Sequence, residues 1–173
     1  MLNLFFRLFP ADLGAFYERV EQKLQDTEFL ANLIDGLSAA GHSFSMDILK
    51  YIYLSANQLI KTEVLKSMRK IGKIDTVFLI SQLNTDSVLL KKDILSVLSL
   101  DTRGKEDALD ILLKIPSPWA SKNKIIIKNM QIVYELGLKD ASSRIKKLSL
   151  RRFFWNSQLR DKANKILREW NVS

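Results

Sequence analysis

Three features of this 173-residue chain predict an all-α fold. Apolar residues recur at helical spacings from Asp12 to Trp170, and no stretch keeps the strict alternation of a half-buried strand. Six glycines and three prolines are too few for a β protein with many turns. Because 47% of the residues are apolar, the chain can bury a continuous core, and one domain over residues 1–173 is expected.

Turn signals divide the chain into about ten helices of roughly 11–15 residues. The predicted boundaries are, in chain order, Pro10 with Asp12, Asp26 or Thr27, Gly41 to Ser45, Asn57, Gly72 with Lys73, Asn84 to Ser87, Asp101 to Gly104, Pro116 to Pro118, and Asn156 or Ser157. The firmest break is at Pro116 to Pro118, because Pro118 disfavours helical dihedrals at Ser117 and Pro116 has no amide proton.

The second helix of each predicted pair repeats one apolar frame. Successive frames start near residues 60, 90, 126 and 159, which is the spacing of stackable helix pairs. The best match places Ile60, Lys61, Val64, Met68 and Ile71 on Leu159, Arg160, Ala163, Leu167 and Trp170. One pair cannot cover its own apolar stripe, so the pairs are expected to stack.

Two stretches within residues 45–170 carry a family resemblance. Asn84 to Leu98 has a turn Asp, a basic residue and then aliphatic positions, and it resembles the turn and second helix of a HEAT-like repeat of the armadillo and HEAT class. Ile60 to Gly72 is similar to that helix with its terminal glycine. The resemblance implies a right-handed α-solenoid of about five helical hairpins. It also implies that the second helices line a concave groove, and a role in binding rather than catalysis.

The net positive charge is concentrated at the C-terminal end. Residues 122–173 hold 13 Lys and Arg against 4 Asp and Glu, whereas the two counts nearly balance in the preceding 121 residues. The basic C-terminal repeats, residues 122–173, are therefore the expected binding region for an acidic partner.

The strongest candidate site lies on the helix expected around residue 145. Arg144, Lys147 and Arg151 are spaced to form one ridge on a helix. Their positive charges repel one another, and this arrangement is easier to understand if an anion binds there. A solvated helix face is the alternative interpretation. The complete set of candidate partner-binding residues is Arg144, Lys147, Arg151, Arg152, Arg160, Lys162, Lys165 and Arg168.

Four aromatic residues lie among these cations: Phe153, Phe154, Trp155 and Trp170. Such residues can stack on the bases of a single-stranded nucleic acid. Packing of the last helical layer, which has no following neighbour, is the favoured interpretation.

Several kinds of chemistry are excluded or unsupported. The chain has no cysteine, which excludes disulfides and thiolate sites, and its one histidine, His42, lies in a predicted turn without metal-ligating companions. No cofactor or metal is expected. The acidic cluster of Glu106, Asp107 and Asp110 has a structural explanation in the helix dipole and a pair between Asp110 and Lys114.

Residues 1–10 form a short apolar segment that is interrupted by Arg7 and ends at Pro10. They are expected to cap the next helices, although a truncated membrane anchor or a peripheral membrane contact is an alternative. No window is apolar over enough residues to suggest a membrane span, and a cytoplasmic protein is expected.

Three functions remain open. The leading hypothesis is a non-enzymatic scaffold that binds an acidic protein through its basic C-terminal surface and its concave groove. One alternative is nucleic-acid binding, in which activity like that of a DNA glycosylase is unlikely because each carboxylate of the basic segment has a helix-surface explanation. The other alternative is a cytosolic regulatory domain of a membrane protein.

Overall fold

The computed structural model describes residues 13–41, 43–114 and 122–171, and every regular element within them is helical. The all-α prediction is confirmed for this part of the chain. The α-helices are α1 Leu13–Gln22, α2 Thr27–Ala40, α3 Ser43–Ser55, α4 Gln58–Ile71, α5 Thr76–Ser81, α6 Val88–Leu98, α7 Thr102–Leu112, α8 Asn123–Glu135, α9 Ser142–Ser149 and α10 Ser157–Glu169. Short 3-10 segments at Gln82–Asn84, Lys139–Ala141 and Phe154–Asn156 precede α6, α9 and α10.

The chain divides into two compact units, with the boundary between Asp75 and Thr76. The first unit contains α1 to α4 and the second contains α5 to α10. A single domain over residues 1–173 stays a prediction.

In the first unit, α2 and α3 both pack against α4. The contact is apolar, with Leu30 and Leu37 of α2 and Val64 of α4 fully buried. Ser67 of α4 is small enough to let the helices approach, and its hydroxyl donates to the Ile34 carbonyl at 3.4 Å. The helices of this unit are therefore seated by buried side chains rather than by exposed polar contacts.

Caps define the ends of α2 and α4 where the sequence predicts them. Asp26 accepts a hydrogen bond from the Phe29 amide at 3.0 Å, and Asn57 accepts one from the Ile60 amide at 3.1 Å. Gly41 and Gly72 end the two helices with φ of 58° and 73°, a left-handed conformation that other residues seldom adopt. These four predicted boundaries are confirmed.

In the second unit the helices form two rows. Helix α8 contacts both α6 and α10, and we call these three the second-helix row. Helix α5 contacts α7, and side-chain ion pairs join α7 to α9, so α5, α7 and α9 form the first-helix row. The hairpins α5–α6, α7–α8 and α9–α10 each contribute one helix to each row.

The predicted apolar frame is buried along the second-helix row. In each helix of this row, the first position of the frame and the position one turn later are both buried. These residues are Leu90, Ile94, Ile126, Met130, Leu159 and Ala163. Trp170, which closes the frame directly after α10, is also buried and stacks on Tyr134 of α8 with 6.2 Å between ring centroids. These core positions are confirmed.

The turn predicted from Asp101 to Gly104 ends earlier than expected, because the helix already begins at Thr102. Asp101 caps α7, because its carboxylate accepts a hydrogen bond from the Gly104 amide at 2.5 Å, and Gly104 lies inside the helix. A Cβ at Gly104 would lie 3.0 Å from a Thr76 side-chain atom and 3.2 Å from one of Leu98. The glycine therefore serves close packing rather than a turn. The breaks predicted at Pro10 with Asp12 and at Pro116 to Pro118, together with His42, lie outside the described residues.

Candidate binding site

Arg144 of α9 is held by two carboxylates of α7. Its guanidinium donates to Asp110 and to Glu106, each at 2.6 Å, and its side chain is only 20% exposed. The hydrogen bond with Asp110 raises the pKa of Arg144, and it lowers the pKa of the Asp110 carboxyl below its ordinary value. Arg144 thus joins two helices of the first-helix row and does not present a free charge.

The ion pairs of Arg144 with Asp110 and Glu106 were not predicted from the sequence. Repulsion among Arg144, Lys147 and Arg151 needs no external anion for relief, because two carboxylates of the protein pair with Arg144. The pair expected between Asp110 and Lys114 is replaced by the pair with Arg144. The reason is that α7 ends at Leu112, so Lys114 lies beyond the helical spacing that would bring it onto Asp110.

A cleft of about 440 Å³ lies between α7 and α9. Its floor is apolar and consists of Leu109, Leu113 and Leu148, all of them buried. Its polar lining consists of Lys114, Lys147, Arg151, Arg144 and Asp110. We call it the α7/α9 cleft.

The charge of the α7/α9 cleft is strongly positive. Among the described residues, the carboxylate that lines the cleft is that of Asp110, and it is already bound by Arg144, so that pair contributes little net charge. Lys114, Lys147 and Arg151 are exposed and have no carboxylate within ion-pair distance among the described residues. The cleft can therefore accept an anionic group above an apolar floor.

The four predicted residues on α10 lie in other surroundings. Lys165 and Arg168 line a separate cavity of about 410 Å³, and Lys165 lies 4.0 Å from Glu169. Lys162 donates a hydrogen bond to Gln131 of α8 within the second-helix row. The α7/α9 cleft contains none of the predicted α10 residues, and the cavity at Lys165 contains none of those near α9. The structure therefore brings together Arg144, Lys147 and Arg151 but not the complete predicted set.

Arg160 instead fastens the connection between α9 and α10. Its guanidinium donates to the backbone carbonyls of Arg151 and Phe153, at 2.8 and 3.0 Å. Asn123 of α8 holds the other side, because its amide donates to the Trp155 carbonyl at 3.1 Å and to Asn156 at 2.9 Å. This loop is therefore tied to two helices of the second-helix row.

The loop carries apolar side chains in solvent, and we call residues 150–155 the aromatic loop. Phe154 is 82% exposed, Phe153 is 55% exposed and Leu150 is 69% exposed. The interpretation of Phe153 and Phe154 as core residues is wrong, whereas it is correct for Trp170. Arg160 and Asn123 hold the loop backbone through its carbonyls, and in this backbone conformation Phe153 and Phe154 are exposed.

Two of the four carboxylates of the basic segment are bound by lysines of earlier helices. Glu135 is bound by Lys92 at 2.6 Å and Asp140 by Lys105, so both lysines come from earlier helices. Hydrogen bonds from these lysines lower the pKa of Glu135 and of Asp140. Because these two carboxylates pair with lysines of earlier helices, they do not neutralise the cations of residues 122–171. That part of the chain therefore stays positively charged.

The described residues contain no group of three or more His, Asp or Glu side chains that could hold a metal ion. None of their helices has both the length and the apolar composition needed to span a bilayer.

No protein-family model matches the chain, and neither a curated protein nor a solved structure shows significant similarity to it. What the chain binds is therefore inferred from the chemistry of its own residues.

Proposed function

We propose that this protein is a non-enzymatic interaction module that binds an acidic protein segment in the α7/α9 cleft. One observation carries the proposal: the cleft combines an apolar floor with Lys114, Lys147 and Arg151, while the Asp110 carboxylate in its lining is bound by Arg144. An amphipathic segment with acidic and aliphatic side chains matches both parts.

In this proposal the helical hairpins of the second unit are HEAT-like repeats of a right-handed α-solenoid. Its support is the row of contacts from α6 through α8 to α10, and the regular starts of these helices at Val88, Asn123 and Ser157. A rigid scaffold of this kind favours binding, because little of its own conformational entropy is lost when a ligand docks. The ligand site lies on the first-helix row, whereas the HEAT-like resemblance implies a concave groove on the second-helix row.

The test compares two anionic probes on the full chain. One is a fluorescent peptide with Glu and Leu at helical spacing, and the other is a single-stranded oligonucleotide of equal charge. We expect tighter binding of the peptide, because only the peptide can also cover the leucine floor. We also expect a shallower salt dependence for the peptide than for a polyphosphate.

A pair of charge-reversal variants locates the site. Lys114→Glu with Lys147→Glu should weaken peptide binding by at least about tenfold, because it reverses the cleft's unpaired cations. The matched control, Lys165→Glu with Arg168→Glu, makes the same change in net charge at the other cavity and should retain most of the affinity. Equal loss in both variants, or preference for the oligonucleotide, would overturn the proposal.

Two alternatives remain untested. A nucleic-acid partner would show itself as oligonucleotide binding in the same experiment. A regulatory domain of a membrane protein rests on residues 1–10, which lie outside the described residues. The cytoplasmic location and the absence of catalysis also stay predictions.

A further inference from the structure

The aromatic loop exposes an unusual concentration of apolar surface. Leu150, Phe153 and Phe154 are all more than half exposed, and they lie within five consecutive residues. Isolated exposed apolar residues are ordinary on protein surfaces, but several of them together on one loop indicate a binding surface.

The loop's exposed form is maintained by specific contacts. Arg160 binds two of its carbonyls, Asn123 binds a third, and the Asn156 amide donates to the Phe153 carbonyl at 3.0 Å. The rings also support one another, since Phe153 lies parallel to Trp155 at 4.7 Å between centroids and Phe154 meets Trp155 edge-on at 4.9 Å. The apolar surface is thus held outward as a preformed cluster.

Three cations are close to this cluster in the sequence. Arg151 and Arg152 lie between Leu150 and Phe153 in the sequence, and Lys147 lies one helical turn before the loop. All three are exposed, and no carboxylate lies within ion-pair distance of them among the described residues. Apolar side chains that enter the acyl boundary, beside cations at headgroup level, are the features of an interfacial membrane contact.

We propose that the aromatic loop binds the surface of an anionic lipid bilayer. Leu150, Phe153 and Phe154 enter the interface, and Arg151 and Arg152 contact acidic headgroups. The contact is peripheral and reversible, because one short loop buries far less apolar area than a spanning helix. It is separate from peptide binding in the α7/α9 cleft, although Lys147 and Arg151 belong to both surfaces.

Two observations favour a bilayer over a single-stranded nucleic acid. Base stacking needs free ring faces, and Phe153 already has one face against Trp155. Leu150, at 69% exposure, has no ring and offers nothing to a base, whereas a bilayer accepts aliphatic and aromatic side chains alike.

The chain's lack of cysteine allows a direct test. Phe154→Cys is labelled with the environment-sensitive dye NBD in the full chain, and Leu59→Cys, at an exposed site on α4, is the matched control. The probes are vesicles of phosphatidylcholine alone and vesicles with roughly one third phosphatidylserine. We expect NBD emission at position 154 to rise severalfold and shift to the blue with the anionic vesicles, while position 59 stays unchanged.

Vesicle co-sedimentation separates the two parts of the contact. Phe153→Ser with Phe154→Ser should lower partitioning by about tenfold, because both apolar side chains are lost. Arg152→Gln should lower it by about fivefold at about 0.1 M salt and by less at high salt. Leu54→Ser with Leu59→Ser removes a comparable exposed pair elsewhere and should have no effect.

Three results would overturn this inference. They are no change in NBD emission at position 154, an equal change at positions 154 and 59, and a change with a single-stranded oligonucleotide in place of vesicles. Failure here is distinguishable from failure of the proposed function, because the Phe153→Ser and Phe154→Ser double variant should still bind the acidic peptide.

Discussion

The hairpins α3–α4 and α9–α10 share a buried frame and differ in the connection between their helices. Ile60 of α4 and Leu159 of α10 occupy equivalent positions, and both are buried. Only Ala56 and Asn57 separate α3 from α4, whereas residues 150–156 separate α9 from α10. The comparison shows that hairpins with the same buried frame can have connections of different length, and that the second hairpin carries its exposed aromatic surface there.

The residues that precede the two helices have also diverged in role. Asn57 caps α4 by accepting from the Ile60 amide. Asn156, at the equivalent place before α10, makes no side-chain cap and instead accepts a hydrogen bond from Asn123. The same residue type thus ends one loop by capping a helix and the other by tying the loop to α8.

A third difference lies one position after the frame begins. The Lys61 ammonium lies over the ring of Tyr53, 5.2 Å from its centroid, within the first hairpin. Arg160 directs its guanidinium to the carbonyls of Arg151 and Phe153. A planar guanidinium can serve two acceptors at once, which suits Arg160 to organising a longer loop.

The largest expected effect tests the shared frame. Ile60→Ala and Leu159→Ala should each lower the free energy of unfolding by about 2–5 kcal/mol, because each removes a fully packed aliphatic side chain. Urea denaturation followed by circular dichroism measures the loss. Leu59→Ala, at a neighbouring but exposed position, should change stability by no more than about 0.5 kcal/mol. A Leu159→Ala variant as stable as Leu59→Ala would show that α10 is not seated as described.

The next effect tests the different contacts of Lys61 and Arg160. Arg160→Ala removes both hydrogen bonds to the aromatic loop and should speed early tryptic cleavage after Arg151 or Arg152 by about tenfold, because the loop opens more often. Mass spectrometry of the first fragments measures it. Lys61→Ala also removes one basic residue but contacts Tyr53, and cleavage at the loop should be unchanged. Equal rates in both variants would remove Arg160 from its loop-fastening role.

The frame of α10 could be predicted because its signal is local: buried positions recur along one helix with the helical period. The partners of Arg144 could not, since Asp110 and Glu106 lie 34 and 38 positions away in sequence and meet it only when α7 and α9 pack. The exposure of Phe153 and Phe154 was hidden for the same reason. Three consecutive aromatic residues favour burial by composition, and the contacts that reverse this come from Arg160 and Asn123 on other elements.

The smallest effect concerns the ion pairs that join α7 to α9. Asp110→Asn should lower the free energy of unfolding by at most about 1 kcal/mol at pH 7, because the Asp110 side chain is largely exposed to solvent. In the folded state the pKa of Asp110 lies below its ordinary value, so its contribution is complete above about pH 4 and is lost as the pH falls through the folded-state pKa. Denaturation at pH 7 and in acid should therefore show a difference that shrinks as the pH falls through the folded-state pKa of Asp110.

Asp107→Asn is the matched control, because it removes the same charge from the same helix without breaking an ion pair among the described residues. If Asp110→Asn were as stable as wild type at pH 7, Glu106 alone would satisfy Arg144. Asp110→Asn also removes one negative charge from the lining of the α7/α9 cleft, so it should tighten binding of the acidic peptide. Asp107 does not line the cleft, and Asp107→Asn should leave the affinity almost unchanged.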